Sequence, residues 1–163
     1  MTEFNEAPES EAFSLVTPCV AISAWAESLV AGRPYQTVDI LMQHAVQLTH
    51  AWGNDELNQA LTAHPRIGEK GQGEGKDAEL SEDEQSAVDT QNSALALALA
   101  QGNAKYEALF GRVFLIRAKG RSGNEILSEL HRRLNHSPAD EESETLEQLR
   151  QITLLRLKGV FAQ

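Results

Sequence analysis

The apolar residues of the chain fall in a succession of helix-spaced stripes divided by turn residues. Val20, Trp25, Leu29 and Val30 recur at helical spacing and stop at Gly32. Thr17-Pro18 ahead of them reads as a helix start: a hydroxyl at the N-cap, then a proline whose missing N–H costs nothing there. Arg33-Pro34 breaks the chain. Thr37 then caps a helix expected to turn Ile40, Leu41, Val46 and Leu48 toward the core before Gly53 ends it. Asn54 caps a short helix over roughly 55–62 that delivers the chain to His64. Residues 66–80 hold Gly68, Gly71, Gly73 and Gly75 among charges with no apolar period, and read as an exposed, flexible loop.

A long helix is expected from Glu82 to about Ala100, where Ala/Leu repetition supplies high propensity. Gly102-Asn103 should punctuate it, leaving a short helix with Tyr106, Leu109 and Phe110. Val113-Phe114-Leu115-Ile116 is apolar and β-leaning, but no second run would pair with it, so it reads as buried irregular chain between Gly111 and Gly120. Ser122 caps a helix bearing Ile126, Leu127, Leu130 and Leu134. Ser137-Pro138 opens a last one with Leu146, Leu149, Ile152, Leu155 and Leu157. There are no internal repeats. The predicted fold class is all-α: a single-domain helical bundle over residues 12–163, preceded by a flexible N-terminus, residues 1–11.

Composition fits that picture. A chain of 163 residues, 41% apolar and 23% charged, is long enough to bury a core and too apolar to be disordered. Its net charge of −10 argues against nucleic acid and anionic membrane as partners. An anionic ligand would need arginines to reverse the field locally. The lone Cys19 excludes an intrachain disulfide and a multi-cysteine zinc site, and reads as a small core residue in a reducing compartment. No run approaches the roughly 20 apolar residues of a membrane span. Met1 to Ala12 is acidic and polar, unlike a signal or transit peptide, and the last residues are no peroxisomal address. A cytoplasmic protein is expected.

Candidate chemistry gathers around one loop. Pro65 disfavours the helical region for His64, which must then sit extended just beyond a helix end. There it either serves as an acid/base imidazole or contacts the last helix carbonyls. Ser81-x-x-Glu84 is a capping-box pattern, yet Glu84-Gln85 also places a carboxylate and an amide at an open helix N-terminus beside a glycine-rich loop. Arg156 interrupts the apolar register of the last helix; either its stem packs while the head snorkels outward, or it binds an anion in a polar pocket.

Other signals are weaker. Gly75-Lys76 lacks the upstream glycine and the Ser/Thr of a phosphate loop, since Lys70 and Asp77 stand there. His44 with His50, and His131 with His136, are six and five residues apart, so neither pair shares a helical face as metal ligands would. Asp140-Glu141-Glu142 reads as charge complementing a helix N-terminus.

The order of these motifs resembles a known family. His64-Pro65-x-Ile67-Gly68 is followed by Ser81-x-x-Glu84-Gln85, then by Asn103-x-x-Tyr106-x-x-x-Phe110-Gly111-x-x-Phe114. Glu125-Ile126-Leu127-x-x-Leu130-x-x-Arg133-Leu134-Asn135-His136 and Ile152-x-x-Leu155-Arg156-Leu157 complete the series. Together, over roughly residues 13–160, they resemble the 2-oxo-4-hydroxy-4-carboxy-5-ureidoimidazoline (OHCU) decarboxylases, third enzymes of urate breakdown. The animal and plant forms often carry an acidic residue where this chain has Arg66.

The resemblance implies an all-α fold, no metal or organic cofactor, a homodimer, and conversion of OHCU to (S)-allantoin with loss of carbon dioxide. It implies His64 as the central catalytic residue and Glu84 as its acid/base or hydrogen-bonding partner. Pro65, Ser81, Gln85 and Arg156 would shape and bind, and backbone groups of Phe114, Leu115 and Ile116 would touch the ureidoimidazoline. Two other readings share these residues: a non-catalytic helical ligand-binding module, and a cofactor-free ureide hydrolase.

Overall fold

The computed structural model describes residues 1–62 and 93–162. Among these residues there are eight α-helices and no strand, so the chain is all-α. They group into two compact units, residues 1–62 with 150–162, and residues 93–149. The last helix contributes to both.

The first unit holds α1 (Thr2–Glu6), α2 (Glu9–Val16), a 3-10 turn (Thr17–Cys19), α3 (Ser23–Ala31), α4 (Val38–Thr49) and α5 (Asn54–Leu61). The lead-in expected to be flexible is instead helical from Thr2, because Phe4 supplies an anchor. Phe4 is 2% exposed, stacks on Tyr35 and meets Phe161 edge-on, with ring centroids 5.3 Å apart in the latter pair. The helix start expected at Thr17-Pro18 is also displaced. Thr17 closes α2, its hydroxyl donating back to the Phe13 carbonyl, and the proline forms the 3-10 turn. Val20 and Ile22 are extended before α3 begins at Ser23. Trp25, Ala26, Leu29 and Val30 face inward, and the Trp25 indole N–H donates to the Ala45 carbonyl at 3.3 Å.

Thr37 caps α4 as its sequence predicts, accepting from the Ile40 N–H at 3.1 Å. The buried line, however, is Leu41, Ala45 and Thr49, spaced four apart on one helical face. Ile40 and Val46, expected in the core, lie on the flanks of that line and are exposed. Leu48 is half-buried. At α5, Glu56 reaches back to the Gly53 N–H at 3.1 Å, and Leu57 and Ala60 are buried.

The second unit holds α6 (Ser93–Phe110), α7 (Gly123–Arg133) and the first half of α8 (Pro138–Val160). The break expected at Gly102-Asn103 is absent, and α6 runs through it. Gly102 marks a close helix approach instead: a Cβ there would overlap the Leu130 side chain. Leu95, Leu99, Tyr106, Phe114, Ile116, Ala118, Ile126 and Leu130 form the core of this unit. Ser122 and Ser137 both cap as read from sequence, each accepting at 3.2 Å from an N–H three residues on. Between α6 and α7 the chain is neither helix nor strand over residues 113–118. Gly111 and Gly120 bracket it at φ +71° and +83°, left-handed values that favour glycine.

Candidate active site

Among the residues expected to act, His64, Pro65, Ser81, Glu84 and Gln85 lie outside the described residues. Arg156 and the Phe114–Ile116 stretch lie within them, in different units.

Arg156 does not snorkel. It is 5% exposed, and its Nη1 lies 3.3 Å from the Pro18 carbonyl and 3.5 Å from that of Cys19. Two features explain this placement. Proline in the 3-10 turn and the extended Val20 after it leave those carbonyls outside any helical ladder. The apolar register of α8, with Ile152 and Leu157 buried around it, draws the arginine stem inward. Cys19 is fully buried, as its reading as a core residue requires.

Phe114, Leu115 and Ile116 are all buried while belonging to no regular element. With no regular ladder, such a stretch must find partners for its main-chain groups elsewhere, side chains among them. Two partners are in place: Arg133 Nη1 donates to the Leu115 carbonyl at 2.7 Å, and the Arg117 N–H donates to Gln148 Oε1 at 2.9 Å. The Leu115 carbonyl is therefore engaged within the protein.

Behind this stretch lies a buried polar cluster that the reading of the sequence missed. Arg133 and Glu141, both 0% exposed, pair through Nη2 to Oε2 at 2.6 Å and through Nε to both carboxylate oxygens at 2.9 and 3.0 Å. Arg133 Nη2 also donates to the Thr145 hydroxyl at 3.0 Å, and the guanidinium carbon sits 4.5 Å from the Phe114 ring centroid. Tyr106 donates its hydroxyl to Glu141 Oε2. His136 Nδ1 lies 3.2 Å from Oε1 of the same carboxylate.

Electrostatics follow from this packing. Burial pushes the Glu141 carboxyl up, but hydrogen bonds from Arg133 and Tyr106, with the guanidinium charge, outweigh it and hold it below its ordinary value. Burial, and then the bond to that carboxylate, pushes the Tyr106 phenol up to about 12. Glu141, read from sequence as dipole charge, is thus a buried counter-ion. A signal for it existed. Arg133 continues the apolar line Ile126, Leu130 on α7, the same out-of-pattern position that singled out Arg156 on α8.

The profile of the OHCU decarboxylase family matches residues 5–158. A uric acid degradation bifunctional protein of Bacillus sp. (strain TB-90) is 27% identical over 170 residues; the match takes in 100% of this chain and 32% of that protein. The chain thus spans about a third of that relative's length. A 2-oxo-4-hydroxy-4-carboxy-5-ureidoimidazoline decarboxylase of Haloferax volcanii is 28% identical over 141 residues, 86% of this chain and 83% of the relative.

Two solved structures share the fold. A crystal structure of OHCU decarboxylase in the presence of (S)-allantoin has a TM-score of 0.73 and 24% identity over 90% of this chain and 96% of its own. A crystal structure of (S)-allantoin synthase has a TM-score of 0.70 and 21% identity, covering 98% of this chain and 53% of its own. With the family profile spanning nearly its whole length, the chain belongs to the OHCU decarboxylase family.

Proposed function

We infer that this carboxy-lyase converts 2-oxo-4-hydroxy-4-carboxy-5-ureidoimidazoline to (S)-allantoin in urate degradation, with His64 and Glu84 at the centre of the reaction. The observation that carries the reading is the family match over residues 5–158. In the reaction the bond from the ring carbon to the carboxylate breaks and carbon dioxide leaves. The electron pair passes into the neighbouring carbonyl and imine-like system, and a proton delivered to one face completes a single enantiomer.

The substrate supplies its own electron sink, so the reading includes no metal and no organic cofactor. What the protein must supply is orientation, donors aimed at developing oxyanion character, and one acid within reach. His64 and Glu84 grip the hydroxyl and carboxylate end. Arg156 and helix N–H groups hold the ring oxygens, Pro65, Ser81 and Gln85 shape the pocket, and the Phe114–Ile116 backbone lies against the ureidoimidazoline. A buried arginine suits this role in a chain of net charge −10, where an anionic substrate needs a local reversal of sign.

The reading extends to a homodimer in the cytoplasm, without nucleic acid or membrane as partner. The acidic net charge supports the last part, and no described helix is long and apolar enough to cross a membrane.

Circular dichroism on freshly generated OHCU tests the reading. Spontaneous decay gives racemic allantoin, so the protein should accelerate the appearance of one enantiomer, and His64→Ala or Glu84→Ala should abolish that acceleration while the chain stays folded. Unaccelerated decay would leave a binding module. Water incorporation without carbon dioxide release would make the protein a hydrolase.

A further inference from the structure

We propose that Arg133 and Gln148 are positioning residues for the decarboxylation, holding the Phe114–Ile116 backbone in the conformation that meets the substrate. The proposal rests on the reading above, that this stretch contacts the ureidoimidazoline. Residues 113–118 have neither a helical nor a strand ladder to set their geometry. Side chains hold them instead: two act on either side of Ile116, one on the Leu115 carbonyl at 2.7 Å and one on the Arg117 N–H at 2.9 Å, and Arg121 Nε takes the Arg117 carbonyl at 2.9 Å. Those two anchor points flank Ile116 and leave it little freedom to rotate.

Both anchors trace to one face of α8. Gln148 supplies the second directly. Glu141 and Thr145, on the same face at i, i+4, i+7 spacing with Gln148, supply the first by fixing Arg133. The carboxylate takes Nε and Nη2 in a bidentate fork, which locks the guanidinium plane and aims Nη1 at Leu115. Tyr106 and His136 hold the carboxylate from two further directions. The same guanidinium packs against the Phe114 ring.

Stability alone does not call for this device. Well-packed apolar residues can replace a buried ion pair at no loss of stability, whereas its fixed geometry specifies where the bonded partners lie. A lysine at 133 would keep the charge but has no planar fork with which to hold Glu141 and Leu115 together. Displacement of a substrate-binding backbone by about 1 Å is enough to cost a large factor in rate.

The test combines kinetics on OHCU with amide hydrogen exchange at residues 114–117, with and without (S)-allantoin, in the full chain well below its melting temperature. Arg133→Lys and Gln148→Met should each lose about tenfold or more in kcat/KM. In both, exchange at 114–117 should quicken before ligand is added, and (S)-allantoin should protect these amides less. Gln148→Glu, which keeps an oxygen for the Arg117 N–H, should restore most of the activity.

Folded variants with wild-type kcat/KM would overturn the proposal. Should Arg133→Lys fail to fold, Gln148→Met decides alone. An active wild type in which (S)-allantoin leaves exchange at 114–117 unchanged would remove the substrate contact, and the positioning role with it. A wild type inactive on OHCU would instead overturn the function and, through it, this role.

Discussion

Each of the two compact units is tied together internally, but by different chemistry. In the first, four described side chains, those of Asn5, Arg33, Arg150 and Arg156, reach for main-chain groups. Arg33 spreads its guanidinium over the carbonyls of Val30, Phe4 and Ala7, at 3.0, 2.8 and 2.7 Å. Asn5 exchanges bonds with the Tyr35 main chain, Arg150 reaches the Thr49 carbonyl, and Arg156 reaches those of Pro18 and Cys19. In the second unit the centre is an ion pair with both partners fully buried. A bond to a carbonyl asks nothing of the acceptor's protonation, whereas the Arg133–Glu141 pair holds only while Glu141 is ionised. The ties just named in the first unit are therefore indifferent to acid, and the Arg133–Glu141 pair in the second is not.

The largest expected effect comes from breaking the pair on one side. Glu141→Ala leaves the Arg133 charge buried without its counter-ion and should cost about 3–5 kcal/mol of stability, read by urea denaturation at neutral pH. The wild type should show the matching pH dependence. Because the Glu141 carboxyl is held below its ordinary value, its contribution is present above pH 4.5 and is lost as the pH falls through the lowered value in the folded protein. The variant should lack that acid limb.

An intermediate effect is expected in the first unit. Arg33→Met keeps the stem and the main-chain bond to the Val30 carbonyl but takes the guanidinium from the carbonyls of Phe4 and Ala7, and should cost about 2 kcal/mol. The same loss should be measured from neutral pH down to about pH 4. An acid-dependent loss in this variant would break the contrast between the units.

Tyr106→Phe should have the smallest effect, about 1 kcal/mol at neutral pH for one hydrogen bond. Its signature is at the other end of the scale. With the phenol raised from 10.0 to about 12, its contribution is complete below pH 10.0 and is lost as the pH rises toward 12. Urea midpoints across that range should fall less steeply in Tyr106→Phe than in the wild type.

Much of the architecture was legible because it depends on neighbours in the chain. Thr37, Ser122 and Ser137 cap where they were expected to, since a cap is made within three residues. The Val113–Ile116 run was readable as buried and irregular from its lack of any pairing partner. Where reading failed, a distant residue decided. Gly102 looks like a helix stop until Leu130 is seen against it, and Phe4 looks frayed until Tyr35 and Phe161 cover it. Ile40 and Val46 are apolar enough for a core, but a helix offers its unit one face, which went to Leu41, Ala45 and Thr49.

The candidate site divides in the same way. Motif order alone placed the chain in its family and singled out Arg156, because residue type and spacing are properties of the string. That Arg156 turns inward onto the Pro18 and Cys19 carbonyls was decided by tertiary structure. So was the conversion of Glu141 from an apparent surface charge into the counter-ion of Arg133, and of Arg133 into a tether for Leu115. The physical reason is the same in each case. A sequence fixes which groups exist and what their near neighbours can do, while burial and partner distance set the energy of a charge, and both come into being only when remote segments pack.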